Sequence, residues 1–167
     1  MREQVIIDGN NLWHAMRVHA PVPPVGRETL VKILDRWAGQ VGAQVMIVFD
    51  GPTPREGLAK QMATRRVGVR FSAPQTADDV IERMLKGIQD PATVRVVSSD
   101  TAVRSDAVSR RCRHVDSVRF VAELFPPERG RTEGTKPRSH EATEPRRHEE
   151  KPDEVSRTEA DDWINLF

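Results

Sequence analysis

The chain has 167 residues, 37% of them hydrophobic, and a formal net charge of +1. This length and this low hydrophobic content indicate one ordinary domain with a tail rather than a chain folded throughout. Its one cysteine, Cys112, excludes an intrachain disulfide, and no apolar run approaches the roughly 18 residues of a membrane span or resembles a signal peptide, so we expect a cytoplasmic protein. Residues 1–126 hold 18 Lys and Arg against 14 Asp and Glu, a net of +4, whereas residues 127–167 hold 8 against 11, a net of −3.

Strands and helices are predicted to alternate along residues 1–126. The first half predicts a strand at 5–7, a loop or short helix from Asn10, a helix at 27–41 with Gly42 as its C-cap, and strands at 45–49 and 67–71. Residues 55–66 have helical spacing but little apolar content. The second half predicts a helix at 77–88, a strand at 94–98, a helix at 101–111, a weak strand at 114–118 and a last helical turn at 121–125. This alternation indicates an α/β fold, with a parallel sheet covered by helices on both faces.

An acidic residue follows each of three predicted strands. Asp8 ends the first strand, Asp50 ends the second, and Asp100 follows the strand at 94–98. In an open α/β sheet the carboxyl ends of parallel strands meet at one edge, where ligands bind. Each acid also has a structural interpretation, since Asp8 and Asp50 suit Asx turns and Asp100 suits a helix N-cap. Several carboxylates at one edge repel one another unless a cation or a proton relieves the repulsion.

Two further acids lie at the start of the predicted helix at 77–88. Thr76 as N-cap and Asp79 at the third helical position resemble a capping box, so a structural role for Asp79 stands beside a role as a ligand. For Asp78 we favour a functional role, because it lies at a helix start near the edge where Asp8 and Asp100 arrive.

The types of donor atom indicate which metal this edge would bind. Carboxylate oxygens without a nearby cysteine or a histidine pair at ligand spacing favour Mg²⁺ or Mn²⁺ over zinc. A carboxylate-bound Mg²⁺ can activate water and clamp a scissile phosphate. Asn11 could orient a carboxylate or the attacking water, although such an asparagine more often satisfies a turn. The five histidines form no constellation, Cys112 has no triad partner, and the sequence has no glycine-rich phosphate loop.

Two groups of arginines are candidates for contacts with RNA phosphates. They are Arg65, Arg66 and Arg70, and separately Arg104, Arg110, Arg111 and Arg113. A basic surface suits a polyanion such as RNA, and an ordinary solvated face accounts for it equally well.

The composition changes after residue 126. Residues 127–158 are charged and rich in proline, with too few apolar side chains to offset the entropy of ordering, so we expect a disordered linker. Residues 159–167 regain four large apolar side chains, Trp163, Ile164, Leu166 and Phe167. Such a chain end suggests a short motif that docks on the chain's own domain or on a protein partner, and a frayed, inert end is the alternative.

Four motifs carry a resemblance to a known family. They are Val-Ile-Ile-Asp-Gly-Asn-Asn-Leu at 5–12, Val-Phe-Asp-Gly at 48–51, Thr-Ala-Asp-Asp-Val-Ile-Glu at 76–82 and Val-Val-Ser-Ser-Asp at 96–100. In this order and spacing, over residues 3–125, they resemble the NYN domain of the PIN-like nuclease superfamily, in particular its YacP-like branch of ribonucleases.

The resemblance implies a three-layer α/β/α fold of the PIN-like type, with a central, mainly parallel sheet in the order 3-2-1-4-5, here as residues 1–126. It implies a metal-dependent endoribonuclease whose acids correspond to Asp8, Asp78 and Asp100, and it matches Asp50 and Asn11 to recurrent positions. Members of the family can act on ribosome-associated RNA. The proline-rich loop at 21–24 and the long charged tail depart from the pattern and leave the substrate and partners open.

The leading hypothesis is therefore an RNA endonuclease that uses Mg²⁺ or Mn²⁺. Its proposed catalytic set is Asp8, Asn11, Asp50, Asp78, Asp79 and Asp100, of which Asp8, Asp78 and Asp100 bind the metal. A phosphatase of the haloacid-dehalogenase type also places acids at strand ends, but Asn10 stands where that class needs its second aspartate. The remaining alternative is an RNA-binding or adaptor module of the same fold with weak or no catalysis.

Overall fold

The computed structural model describes residues 2–126, so the predicted linker at 127–158 and the predicted motif at 159–167 lie outside the described residues. Five strands form a parallel sheet in the order β3-β2-β1-β4-β5. They are β1 (Gln4–Asp8), β2 (Gln44–Phe49), β3 (Val67–Phe71), β4 (Val94–Val97) and β5 (Arg113–Val115). The predicted strand order is confirmed, and β1 occupies the centre of the sheet.

Helices connect the strands and cover both faces of the sheet. They are α1 (Gly9–His19), α2 (Arg27–Val41), α3 (Leu58–Met62), α4 (Ala77–Lys86), α5 (Thr101–Ser109) and α6 (Ser117–Leu124), and a 3-10 turn, Pro91–Thr93, precedes β4. Helix α2 has the predicted bounds, and Gly42 ends it in the left-handed conformation, as expected of a C-cap glycine. None of the helices within residues 2–126 is long and apolar enough to cross a membrane.

The alternation of side chains along β1 divides the core into two layers. Val5 and Ile7 pack into one apolar cluster with helices α1, α2 and α6, where the rings of Trp37 and Phe120 meet edge to face at 4.9 Å. Ile6, on the opposite face of the strand, packs into a second cluster with α4 and α5. The architecture is therefore the three-layer α/β/α arrangement that the sequence predicts.

The structure corrects the prediction in two places. The residues after Asp8 form an eleven-residue helix, α1, rather than a loop or a short helix. The predicted strand at 114–118 ends at Val115, because the Asp116 carboxylate accepts a hydrogen bond from the Val118 N–H at 2.8 Å and starts α6 there. The last helix consequently has eight residues instead of one turn at 121–125.

Gly9 lets α1 begin directly at the end of β1. A Cβ atom at this position would lie 2.6 Å from Phe49 Cδ1 and 2.8 Å from the backbone oxygen of Val48, both closer than real contacts allow. The turn that follows Asp8 is therefore packed against β2 with no room for a side chain.

We expect Gly9→Ala to lower the free energy of unfolding by about 1–3 kcal/mol, because the backbone oxygen of Val48 cannot move aside as a flexible side chain would. Urea denaturation followed by circular dichroism measures the change. Gly87→Ala is the matched control, since its Cβ would meet nothing closer than the Met84 oxygen at 3.6 Å. Equal effects of the two substitutions would contradict the close-approach explanation.

Candidate active site

Asp8 is a buried carboxylate at the end of the central strand. The residue is 6% exposed. One carboxylate oxygen accepts the Asn11 N–H at 3.0 Å, and the other accepts the Ser98 hydroxyl at 3.2 Å. Burial raises the pKa of Asp8, the hydrogen bonds from Asn11 and Ser98 lower it, and the charge of Asp100 raises it further. Within residues 2–126 no cation forms an ion pair with this carboxylate.

Ser98 joins the ends of the two central strands. Its hydroxyl, fully buried, donates to Asp8 and accepts the Asp100 N–H at 3.0 Å. Its carbonyl oxygen lies 2.7 Å from Nε2 of His114. Ser98 was not among the predicted site residues, although it belongs to the Ser-Ser-Asp sequence at the predicted strand end, which was the available signal.

Asp100 begins helix α5 as its N-cap. One of its carboxylate oxygens accepts the N–H groups of Ala102 at 2.7 Å and Val103 at 3.3 Å. The structural interpretation of Asp100 is thus confirmed. The same carboxylate is close enough to Asp8 and Asp78 for its charge to raise the pKa of both. The capping role and a place in an acidic site are therefore compatible.

The neighbours Asp78 and Asp79 have opposite environments in the first turn of α4. Asp79 is exposed and completes a capping box, since its carboxylate accepts the Thr76 N–H at 3.2 Å and its own N–H donates to the Thr76 hydroxyl at 3.1 Å. Hydrogen bonds with Thr76 lower the pKa of Asp79. Burial raises the pKa of Asp78, and the charges of Asp100, Asp8, Asp50 and Asp79 raise it further. The capping role predicted for Asp79 is confirmed, and Asp78 is the member of the pair that faces the other acids.

Asp50, which directly follows β2, is hydrogen-bonded to the start of α4. One carboxylate oxygen accepts both the Ser72 hydroxyl at 3.0 Å and the N–H of Ala77, the first residue of α4, at 2.9 Å. This bond fixes the helix start from which Asp78 projects. A direct part of Asp50 in catalysis stays a prediction, while its positioning contact is visible.

Asn11 links three segments at the carboxyl edge of the sheet. Its side-chain oxygen accepts the Ser99 N–H at 2.9 Å and the hydroxyl of the buried Ser117 at 2.7 Å, and its backbone N–H donates to Asp8. The asparagine thereby fixes the turn after β1 against the loop after β4 and the start of α6. Asn11 and Ser117 are 106 residues apart, so no local sequence pattern predicts their contact.

The acids at this edge suit a hard cation by their chemistry. Asp8, Asp78 and Asp100 supply carboxylate oxygens, the donors that Mg²⁺ and Mn²⁺ prefer, and their charges interact with one another without an ion-pair partner among residues 2–126. In this part of the chain the arrangement does not bring three His, Cys, Asp or Glu side chains within reach of one ion. The residue types fit a metal site, and the side-chain positions fall short of a complete ligand sphere.

The predicted arginines divide between the two edges of the sheet. Most of the seven lie at the amino ends of the strands, away from the acids: Arg65 and Arg66 directly precede β3, and Arg110 and Arg111 lie between α5 and β5. Arg66 also pairs with Asp35, at 3.7 Å. Arg113 lies at this amino edge too and pairs with Glu3. Arg70, near the end of β3, and Arg104, in the first turn of α5, remain on the side of the acids.

Arg27 is a cation at this edge that the sequence did not single out. Its guanidinium lies 3.5 Å from the side-chain oxygen of Asn10 and packs over the rings of Trp13 and Phe49, at 5.6 and 5.1 Å from their centroids. Seventeen residues separate Arg27 from Asn10, so no local pattern connects them.

The opposite pKa shifts of Asp78 and Asp79 predict opposite effects on stability in metal-free buffer. A raised pKa means that folding favours protonated Asp78, so that stability is lost as the pH rises from the usual value of 3.8 through the raised one. Asp78→Asn should therefore raise the Tm at pH 7, with a gain that shrinks toward pH 4. The lowered pKa of Asp79 contributes stability above pH 3.8, so Asp79→Asn should lower the Tm at pH 7.

Thermal melts in EDTA between pH 4 and pH 7 measure both shifts. The two substitutions make the same chemical change at adjacent positions, so each is the control for the other. Tm changes of the same sign at pH 7 would show that Asp78 does not face the other carboxylates.

Comparison with known proteins identifies the family. The model of the YacP-like NYN domain matches residues 5–166 and so extends through the predicted linker into the predicted C-terminal motif. The structure of Rae1 (YacP) from Bacillus subtilis is similar to this chain, with a TM-score of 0.56 at 21% identity over 73% of this chain and 75% of that chain. The structure of a tryptophan-to-leucine mutant of the same protein is similar to this chain with a TM-score of 0.55 at 21% identity, over 73% of this chain and 76% of that chain.

No curated protein matches this chain. At 21% identity the likeness to the two solved structures shows a shared fold. The family match is broader evidence, because it covers nearly the whole sequence, and the chain therefore belongs to the YacP-like NYN domain family.

Proposed function

We propose that this protein is a metal-dependent RNA endonuclease that hydrolyses phosphodiester bonds at the carboxyl edge of its sheet. Membership of the YacP-like NYN domain family supports a nuclease. The grouping of Asp8, Asp78 and Asp100 at the edge where α/β folds bind ligands supports the location of the site.

The observation that carries the proposal is the charge around Asp78. Its pKa is raised by burial and then by Asp100, Asp8 and Asp50, and within residues 2–126 its carboxylate receives no hydrogen bond and forms no ion pair. A folded protein keeps such uncompensated repulsion only at a cost in stability. A divalent cation relieves that cost, which is why we assign the acids to a cation rather than to packing.

The residues have separate roles in this proposal. Asp8, Asp78 and Asp100 would hold Mg²⁺ or Mn²⁺, and such an ion would supply activation of a water molecule and stabilisation of charge on the scissile phosphate. Ser98 and the backbone N–H of Asn11 orient Asp8 through their hydrogen bonds. Asp50 holds the start of α4 and so positions Asp78. Asp79 acts through the helix cap rather than at the metal.

RNA is the proposed substrate, including RNA bound to ribosomes, and the cytoplasm is the proposed place of action. The single cysteine, Cys112, is buried and free, which agrees with a reducing compartment. A protein partner for residues 159–167 stays a prediction, since these residues lie outside the described part of the chain.

The alternative function is an RNA-binding module with little or no cleavage. One observation favours it, namely that residues 2–126 do not bring three potential ligands within reach of a single ion. On this alternative the acids would repel metal-free RNA, and binding would depend on the arginines alone.

A cleavage assay on generic single-stranded RNA distinguishes the two functions. We expect cleavage with Mg²⁺ or Mn²⁺ that EDTA abolishes, and we expect Asp8→Asn and Asp78→Asn each to reduce the rate by several orders of magnitude, because each removes a metal ligand. Asp79→Asn should retain most activity, since that carboxylate is bonded to Thr76.

Asp79→Asn is the control for a loss of charge at the start of α4, and circular dichroism checks that each variant is folded. Tight RNA binding without cleavage under any divalent metal would establish the alternative. A loss in Asp79→Asn as deep as that in Asp78→Asn would place Asp79 among the ligands.

A further inference from the structure

A polar cavity lies beside the acids, between the starts of α5 and α6. It has a volume of about 270 Å³ and is lined by Ser99, Thr101, Arg104, His114, Val115, Asp116 and Arg119. Ser99 and Thr101 flank Asp100 in the chain, so the polar cavity adjoins the proposed metal site.

Two arginines give the polar cavity a positive charge that is free to bind an anion. Arg104 on α5 and Arg119 on α6 are exposed, and within residues 2–126 neither guanidinium forms an ion pair or a hydrogen bond. Three arginines at the amino edge differ, because Arg66, Arg95 and Arg113 each pair with an acid. Arg104 and Arg119 therefore lack the structural explanation that applies to those three.

Asp116, the one acidic residue that lines the polar cavity, already accepts hydrogen bonds from nearby residues. The carboxylate of Asp116 interacts with the Ser99 hydroxyl and accepts the Val118 N–H, and these bonds lower the pKa of Asp116, the bond with Ser99 most strongly. Asp100 and Asp116 also take up N–H groups at the starts of α5 and α6. The lowered pKa keeps Asp116 negatively charged, so the polar cavity holds two guanidinium charges against one carboxylate charge. An anion there would bind to the guanidinium groups, since the N–H groups at the two helix starts are already taken up.

We propose that the polar cavity binds the phosphate of an RNA nucleotide next to the scissile phosphate, held between Arg104 and Arg119. This inference rests on the proposed function, since it takes the acids as the place of cleavage. Guanidinium groups bind phosphate oxygens through charge-assisted, bidentate hydrogen bonds. A phosphate contact carries no base information, so the subsite holds the strand in register without selecting its sequence.

The first experiment compares RNA binding by charge-matched double variants of the full chain. Fluorescence anisotropy in EDTA measures binding of a labelled 12-nucleotide single-stranded RNA to wild type, Arg104→Gln/Arg119→Gln and Arg65→Gln/Arg111→Gln. We expect the first variant to bind roughly tenfold or more weakly, because hydrogen bonds to a charged group are lost. The slope of log K against log salt should fall in magnitude by about 0.7, the value for one phosphate on a single strand.

The second experiment identifies the phosphate. A series of RNAs, each with one phosphate replaced by an uncharged methylphosphonate, is tested against wild type and Arg104→Gln/Arg119→Gln. One replacement next to the cleavage site should weaken binding to wild type and leave binding to the variant unchanged. Such a coupling between one phosphate and two side chains is not expected from a general change in surface charge.

The inference is wrong if Arg104→Gln/Arg119→Gln binds RNA no more weakly than Arg65→Gln/Arg111→Gln, or if no methylphosphonate position shows coupling. Cleavage by wild type is scored separately with Mg²⁺ or Mn²⁺. Active wild type with no coupling overturns the subsite and leaves the proposed function standing. Coupling at one phosphate in a protein that does not cleave under any metal overturns the proposed function, and with it the placement next to a scissile phosphate.

Discussion

The burial of Asp8 at the end of the central strand is the constraint on which the rest of the site depends. A carboxylate removed from water must find hydrogen-bond donors, and this one finds them in the N–H of Asn11 and the hydroxyl of Ser98. Ser98 in turn accepts the N–H of Asp100, and the side chain of Asn11 accepts from the loop after β4 and from Ser117. One buried charge thus fixes the geometry of three chain segments at the carboxyl edge.

The acids at the two edges of the sheet differ in whether they form ion pairs. At the amino edge Glu3 pairs with Arg95 and Arg113, and Arg95 also pairs with Glu123, so that acids and bases neutralise one another. At the carboxyl edge Asp8, Asp50 and Asp100 accept hydrogen bonds from neutral donors. Among residues 2–126 none of the carboxylates at this edge has a basic partner. The ion pairs at the amino edge thus compensate charge, whereas the charges of the acids at the carboxyl edge are left without a cation among residues 2–126.

Several residues at the carboxyl edge combine a structural and a functional position. Asp100 caps α5 and at the same time raises the pKa of Asp8 and Asp78 by its charge. Asp50 accepts the first N–H of α4 and so determines where that helix begins. In the sequence analysis, a local structural role and a place in a site were alternative interpretations of each acid. In the fold the two roles are compatible, because a capped helix start is a rigid support for a neighbouring side chain.

The sequence by itself determined most of the elements and the edge of the sheet at which the acids meet. The β-branched runs, the apolar spacing of α2 and α4, and the capping box at Thr76 are local patterns, and local patterns specify strands, helices and their ends. An acid at the end of a buried strand can lie only at the carboxyl edge, which is why Asp8, Asp50 and Asp100 were expected together. The resemblance to the family supplied the strand order, which local patterns do not contain.

Only the tertiary structure decided which of the candidates face the site. It brought Ser98 and Ser117 into the hydrogen-bond network and placed five of the seven predicted arginines at the opposite edge. It also ended β5 at Val115 and placed Arg119, on α6, among the residues that line the polar cavity. These outcomes depend on contacts between residues far apart in the chain, and the distance and direction of such contacts are set by the packing of helices on the sheet rather than by any local pattern.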